Sequence, residues 1–109
     1  MRINLFISIL LLCSANAMAK GYAVAGKEKS LVCQSCHGET GNQAITPDIP
    51  NLAGQHQDYL EHALRAYRSG DREQAVMSTF AQQLSDQDIQ DLAAYFASQS
   101  GVLQDLSIK

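Results

Sequence analysis

The chain has 109 residues, enough for one small domain, and sets 8 Lys and Arg against 11 Asp and Glu for a formal charge of −3. An acidic domain of this kind is a poor candidate for binding nucleic acid or anionic lipid and suits a partner with a basic docking face. Aromatic residues are few and Trp is absent, so a core this small gains from a prosthetic group.

Residues 1–19 have the layout of a secretory signal peptide. Arg2 is followed by an almost wholly apolar run from Ile3 to Leu12, then by small residues ending in Ala17-Met18-Ala19. Cleavage is expected before Lys20, with Ala15-Asn16-Ala17 a second option upstream. The apolar run is only about half of the ~20 residues a membrane span needs, which disfavours an uncleaved anchor. The expected product is a periplasmic domain, 20–109, with no stable membrane insertion. Loss of the leader removes Arg2, leaving seven Lys and Arg, so the formal charge becomes −4. It also leaves Cys33 and Cys36 as the only cysteines and Met77 as the only methionine.

The pattern beyond the leader is helical, with no run of alternation that makes a convincing strand. A first helix is predicted from about Ala23 to Cys33, with Val24, Leu31 and Val32 on one face and Gly26 interrupting it. From Gly38 to Gly54 the chain holds three glycines and both prolines and is predicted to be a long loop. Loops of that length inside a compact domain usually wrap something. A second helix is predicted over about Gln57 to Ser69, where Tyr59 and Leu60, Ala63 and Leu64, and Tyr67 stack at four-residue steps and Gly70 supplies a C-terminal cap. Gly70 to Leu84 is expected to be a second loop, carrying Met77 and Phe80. The last helix starts at Ser85, an N-cap residue, with Asp86 and Asp88 in the first turn. Ile89, Leu92, Ala93 and Phe96 form its apolar stripe and Gly101 its end. The fold class is therefore all-α: three principal helices and two long loops, with space between the loops to be filled.

The chemistry is concentrated in Cys33-Gln34-Ser35-Cys36-His37. A structural zinc site needs four Cys or His ligands, and His56 and His62 lack the usual spacing to complete one. Thiol–disulfide exchange belongs to a CxxC beside a βαβ pattern, and no strand precedes this one. C-x-x-C-H is also the attachment signature of c-type haem. Two thiols at that spacing can each form a thioether with one of the haem vinyl groups, and the next residue, His37, is carried beneath the iron. An export signal agrees with haem attachment outside the cytoplasm. Met77, His56 and His62 are the candidates for the second axial position. Met77 is preferred because electron-carrying c haems favour His/Met ligation. A ligating His usually gives its other N–H to an acceptor, and Pro50 either offers its carbonyl for this or merely stiffens the loop.

CQSCH with HGETGN, then IPNLAGQ, YLEHALRAYRSGDR, Met77 and LSDQDIQDLAAYFASQ resembles class I cytochromes c, in particular a mono-haem member of the bacterial cytochrome c4-like subgroup. The resemblance covers nearly all of the expected mature chain. It implies a helical bundle wrapped around one haem c, bound covalently through Cys33 and Cys36. His37 and Met77 would be axial, and the Pro50 carbonyl would accept from His37. Leu52, Tyr59 and Leu64 would pack on the haem, and Gly26 would meet Tyr95 or Phe96. Two-haem members of the subgroup carry two CxxCH motifs, whereas this chain has one, which points to a monomer, a dimer or one subunit of a larger complex. Around Met77, Ala75-Val76-Met77-Ser78 lacks the proline or extra methionine common in the family.

The expected function is electron transfer between redox proteins, not catalysis, with uncharged Ala44 and Ile45 at the docking centre. Arg72 is the candidate for the haem propionates, and Arg65 and Arg68 read better as helix-surface charge. The alternatives are the haem subunit of a periplasmic dehydrogenase or oxidase, and a gas-binding or sensory haem with a labile sixth position.

Overall fold

A computed structural model describes residues 21–103. The expected signal peptide and the last six residues of the tail lie outside that range. The described residues form five helices and no strand: α1 (Ala23–Lys29), α2 (Leu31–His37), α3 (Gln57–Ser69), α4 (Ala75–Ala81) and α5 (Asp86–Ala97).

The predicted first helix is two helices. The break falls at Ser30, which is fully buried. Its hydroxyl donates to the Lys27 carbonyl at 2.7 Å and accepts from Gln34 Nε2 at 2.8 Å. A serine that satisfies itself against local backbone competes with helix continuation. The second segment then runs on through the whole CQSCH stretch instead of ending at Cys33. Nor does the Val24, Leu31 and Val32 face point into the core, since these residues are 80%, 71% and 51% exposed. The small residues Gly26 and Ser30 face inward.

Gly26 explains that choice. α1 lies against α5, and a Cβ at Gly26 would fall on the Asp91 carbonyl and come within 2.8 Å of Tyr95 Cβ. Only a residue without a side chain permits this approach. Asp91, 2% exposed, fastens the crossing. It accepts from the Tyr22 backbone N–H at 2.8 Å, Gln87 Nε2 at 2.8 Å and Lys29 Nζ at 2.7 Å. Lys29 also pairs with Asp88 at 2.8 Å. Burial pushes the Asp91 carboxyl up, but the Lys29 ammonium, the Tyr22 N–H and the Gln87 amide outweigh it, leaving the group below its ordinary value.

α5 is central. Ile89 and every residue from Asp91 to Phe96 are buried, because α1 covers one side and α3 packs on another. Its start is a full capping box: Ser85 Oγ accepts from Asp88 N at 3.0 Å, and the Asp88 carboxylate from Ser85 N at 2.9 Å. It ends at Ala97, short of Gly101, where the Ser98 hydroxyl takes the Tyr95 carbonyl at 2.7 Å.

α3 has its predicted bounds and stops at Gly70, whose φ of 89° is the left-handed C-cap conformation. α4 occupies part of the expected second loop. Gln74 caps it, its side-chain oxygen accepting from Met77 N at 2.6 Å. Seven residues are too few to display helical periodicity, and packing on α3 stabilises what propensity alone does not.

The loop from Gly38 to Gly54 is tied down along its length. Tyr95 Oη donates to the Glu39 carbonyl at 3.0 Å, Leu52 N and Ala53 N donate to the Gly41 carbonyl at 2.6 and 3.1 Å, and Gly54 N reaches the Phe96 carbonyl at 3.0 Å. α5 therefore holds both ends of the loop.

Candidate haem-binding site

α2 carries Cys33, Cys36 and His37 within its last turn and a half, so the two cysteines, three residues apart, lie on neighbouring positions of one helix. Both thiols are free and half-buried. Burial pushes the Cys33 thiol up, with a smaller push from Cys36, against the lowering effect of a backbone hydrogen bond. Among the described residues no group of three or more His, Cys, Asp or Glu could hold a metal ion.

His37 is 6% exposed and ends α2. Its Nδ1 lies 2.8 Å from the Pro50 carbonyl oxygen. A carbonyl can only accept, so Nδ1 carries a proton in this contact, and in the neutral ring Nε2 is then the nitrogen with the free lone pair. That is the tautomer an iron ligand needs, with the orienting hydrogen bond on the far nitrogen. Pro50 thus presents its carbonyl to His37 and is more than a stiffener. The alternative sixth-ligand candidates are placed differently. Met77 is half-buried on α4, while His56 is an exposed N-cap of α3 and His62 is exposed on that helix.

Cys33, Leu52 and Leu64 come together on one core cluster made by Leu60, Leu92, Ala93, Tyr95 and Phe96. Three residues expected at the site are therefore neighbours of a common floor, though they come from α2, the long loop and α3. Tyr59 stands apart at 48% exposed. Arg72 is exposed, its guanidinium 4.8 Å from the centre of the Tyr67 ring, a cation–π contact. Arg68 donates to Asp86 at 2.6 Å and to the Leu84 carbonyl at 3.1 Å, and Arg65 approaches Asp86 at 3.9 Å. The hydrogen bond from Arg68 holds the Asp86 carboxyl below its usual value. These two arginines are occupied with surface pairing, as expected.

Sequence reasoning passed over Asn51, Tyr95 Oη and Gln74. The Asn51 side chain accepts from Ala44 N at 3.1 Å. An Asn directly after a loop proline is a visible signal, since Asn readily hydrogen-bonds nearby backbone.

The residues fit a covalently attached haem on their own chemistry. There are two free thiols on one helix, and a buried imidazole beside them whose Nδ1 proton is committed to the Pro50 carbonyl. The cytochrome c family model matches residues 18–100. The chain belongs to the cytochrome c family. As a cytochrome c it holds one haem c, attached covalently through Cys33 and Cys36.

This cytochrome is similar to cytochrome c-554(548) of Halomonas halodenitrificans, 49% identical over 82 residues that cover 72% of this chain and 98% of that protein. It is similar to cytochrome c4 of Pseudomonas aeruginosa, 42% identical over 98 residues covering 88% and 48%. The crystal structure of reduced recombinant cytochrome c4 from Pseudomonas stutzeri superposes with a TM-score of 0.70 at 41% identity, covering 74% of this chain and 47% of that one. The chain spans about half the length of the cytochrome c4 relatives it matches.

Proposed function

We propose that this cytochrome is a periplasmic one-electron carrier of the cytochrome c4 type, in which His37 and Met77 would hold the haem iron. The observation that supports it most is the 2.8 Å contact from His37 Nδ1 to the Pro50 carbonyl beside the two free thiols of α2. Bound haem supplies the one-electron chemistry, cycling between Fe(II) and Fe(III). The chain supplies the rest. Cys33 and Cys36 hold the haem through thioethers. His37 donates from Nε2, while Pro50 fixes its ring. Met77 offers a soft sulfur from α4, and the residues around Leu52 and Leu64 exclude water and so favour the less charged state. Tyr59 and Arg72 are proposed at the haem periphery, Arg72 toward the propionates.

Export by a cleaved leader, residues 1–19, accounts for the haem type and the compartment. No described helix is long and apolar enough to cross a membrane. The partner is a redox protein, met in a small transient contact around half-buried Ala44 and Ile45, which is 64% exposed. A second arrangement, a haem subunit of a dehydrogenase, is favoured by a Chlorobaculum tepidum relative named the cytochrome subunit of sulfide dehydrogenase, 35% identical. Stoichiometric co-purification with an enzyme would select it, and fast electron exchange by the protein alone would select the free carrier.

The test is the visible spectrum of the purified oxidised protein. A far-red band from Fe(III)–sulfur ligation is expected, and Met77→Ala should abolish it and open the site to carbon monoxide. A wild-type spectrum without that band, together with ready carbon monoxide binding, refutes Met77 ligation. An unchanged spectrum in M77A transfers the role to His56 or His62.

A further inference from the structure

Pro50 can orient His37 only if its carbonyl is itself held still. The loop bearing it is exposed at Pro47, Asp48 and Pro50, and its own backbone supplies one local bond there, from Ile49 N to the Thr46 carbonyl at 3.2 Å. Beyond the bond from Leu52 N to the Gly41 carbonyl at 2.6 Å, a contact next to Pro50 must set its position. The neighbouring residue, Asn51, is half-buried, and its side-chain oxygen accepts from Ala44 N at 3.1 Å. The residue after Ala44 returns the connection to α2, with Ile45 N donating to the Cys36 carbonyl at 3.0 Å. Cys36 precedes His37. The path closes on itself: His37 to Pro50, Asn51 to Ala44, Ile45 to Cys36, with a peptide bond between each pair of steps.

We infer that Asn51 is the positioning residue for His37, closing a ring of three hydrogen bonds that sets the strength of the Nδ1–H to Pro50 carbonyl bond. The inference rests on His37 being the haem ligand. The stronger that bond, the more electron-rich the ring and the better Nε2 donates to iron, which favours Fe(III). Asn51 does this without touching the imidazole. Asn suits the position because its oxygen accepts one N–H without placing a charge in the loop. The same bond anchors the side of the loop where Ala44 and Ile45 stand, so one residue couples the docking surface to the ligand's orientation.

The experiment uses the holoprotein and compares Asn51→Ala, which loses the acceptor, with Asn51→Asp, which keeps one. The primary readout is solvent exchange of the His37 Nδ1 proton, followed by NMR on reduced protein, and the second is the midpoint potential of N51A. N51A should exchange this proton about fivefold to tenfold faster, the effect of losing one hydrogen bond of ordinary net strength, and its potential should shift positive. N51D should exchange as slowly as wild type. An N51A exchange rate equal to wild type overturns the inference, as does N51D exchanging as fast as N51A. So does an unmoved N51A potential, which reduces Asn51 to a loop staple. If N51A fails to accumulate with haem, the unaltered protein decides. The Ala44 amide, the Ile45 amide and the His37 ring proton should share one opening constant, and clearly different constants overturn the ring. Failure of the ligation reading looks different: the unaltered protein, once oxidised, would lack hyperfine-shifted His37 ring resonances, while the exchange comparison on reduced protein would still judge the ring.

Discussion

Replacing Gly26 by Ala adds a single methyl group at the α1–α5 crossing. That Cβ would be 2.6 Å from the Asp91 carbonyl carbon, inside contact with the carbonyl oxygen, and 2.8 Å from Tyr95 Cβ. None of these atoms is the free end of a flexible side chain, so no rotamer change relieves the clash. Carbon atoms sit comfortably at about 3.5–4.0 Å, so α1 must withdraw by about 1 Å. Withdrawal stretches the Tyr22 and Lys29 hydrogen bonds to Asp91, now 2.8 and 2.7 Å, and loosens the packing over Tyr95. Helix propensity gives back up to about 1 kcal/mol for Gly→Ala. Overpacking of this kind costs about 1–3 kcal/mol, and the rigidity of the neighbours puts this site at or beyond the upper end. A net loss of about 2 kcal/mol lowers the melting temperature of a domain this size by about 8–16 °C. The assay is thermal unfolding of oxidised holoprotein, followed by circular dichroism at 222 nm and by haem absorbance. A G26A variant within about 2 °C of wild type would show that α1 does not need the close approach, and the account of why Gly stands at this position would fail.

Acid should act at the same crossing. The carboxyls of Asp91 and Asp88 are held below their ordinary values, so their contribution is present above the unfolded carboxylate pKa of about 3.9 and is lost as pH falls through the folded values. Stability measured by denaturant titration should fall steeply below about pH 4, and Asp91→Asn should flatten that fall while lowering neutral-pH stability by about 2 kcal/mol. Lys29 is raised, first by Asp88 and then by Asp91, so its share is full below the ordinary Lys value and disappears as pH rises past the folded one. A second loss of stability is expected above about pH 10.4, absent in Lys29→Met. Tyr95→Phe removes the bond to the Glu39 carbonyl. It should cost about 1 kcal/mol and quicken amide exchange in the Gly38–Gly54 loop while leaving α3 exchange unchanged.

Much of this protein was legible along the chain because its signals are local. The CQSCH spacing is set by covalent chemistry within one helical turn. The Ser85–Asp88 cap and the Gly70 stop each involve residues within one turn of each other, and α3 kept its predicted bounds. The resemblance to cytochrome c rested on such short segments and was shown by the family match. Where the reading went astray, no period along the chain carried the signal. Ser30 broke α1 with a hydroxyl turned on its own backbone, and α4 was too short for any period to show.

What the sequence by itself determined is the attachment chemistry and the helices α3 and α5, because thiol spacing, caps and apolar stripes act over a few residues. Only the tertiary structure decided the rest. Asp91 meets Tyr22 across 69 residues of chain and Tyr95 meets Glu39 across 56, and no periodicity encodes such pairings. Burial of α5 on nearly all sides follows from α1 covering the face that its stripe leaves open. The proton on His37 Nδ1 is set by a carbonyl thirteen residues on, brought there by a loop whose course depends on what α5 and Asn51 hold in place.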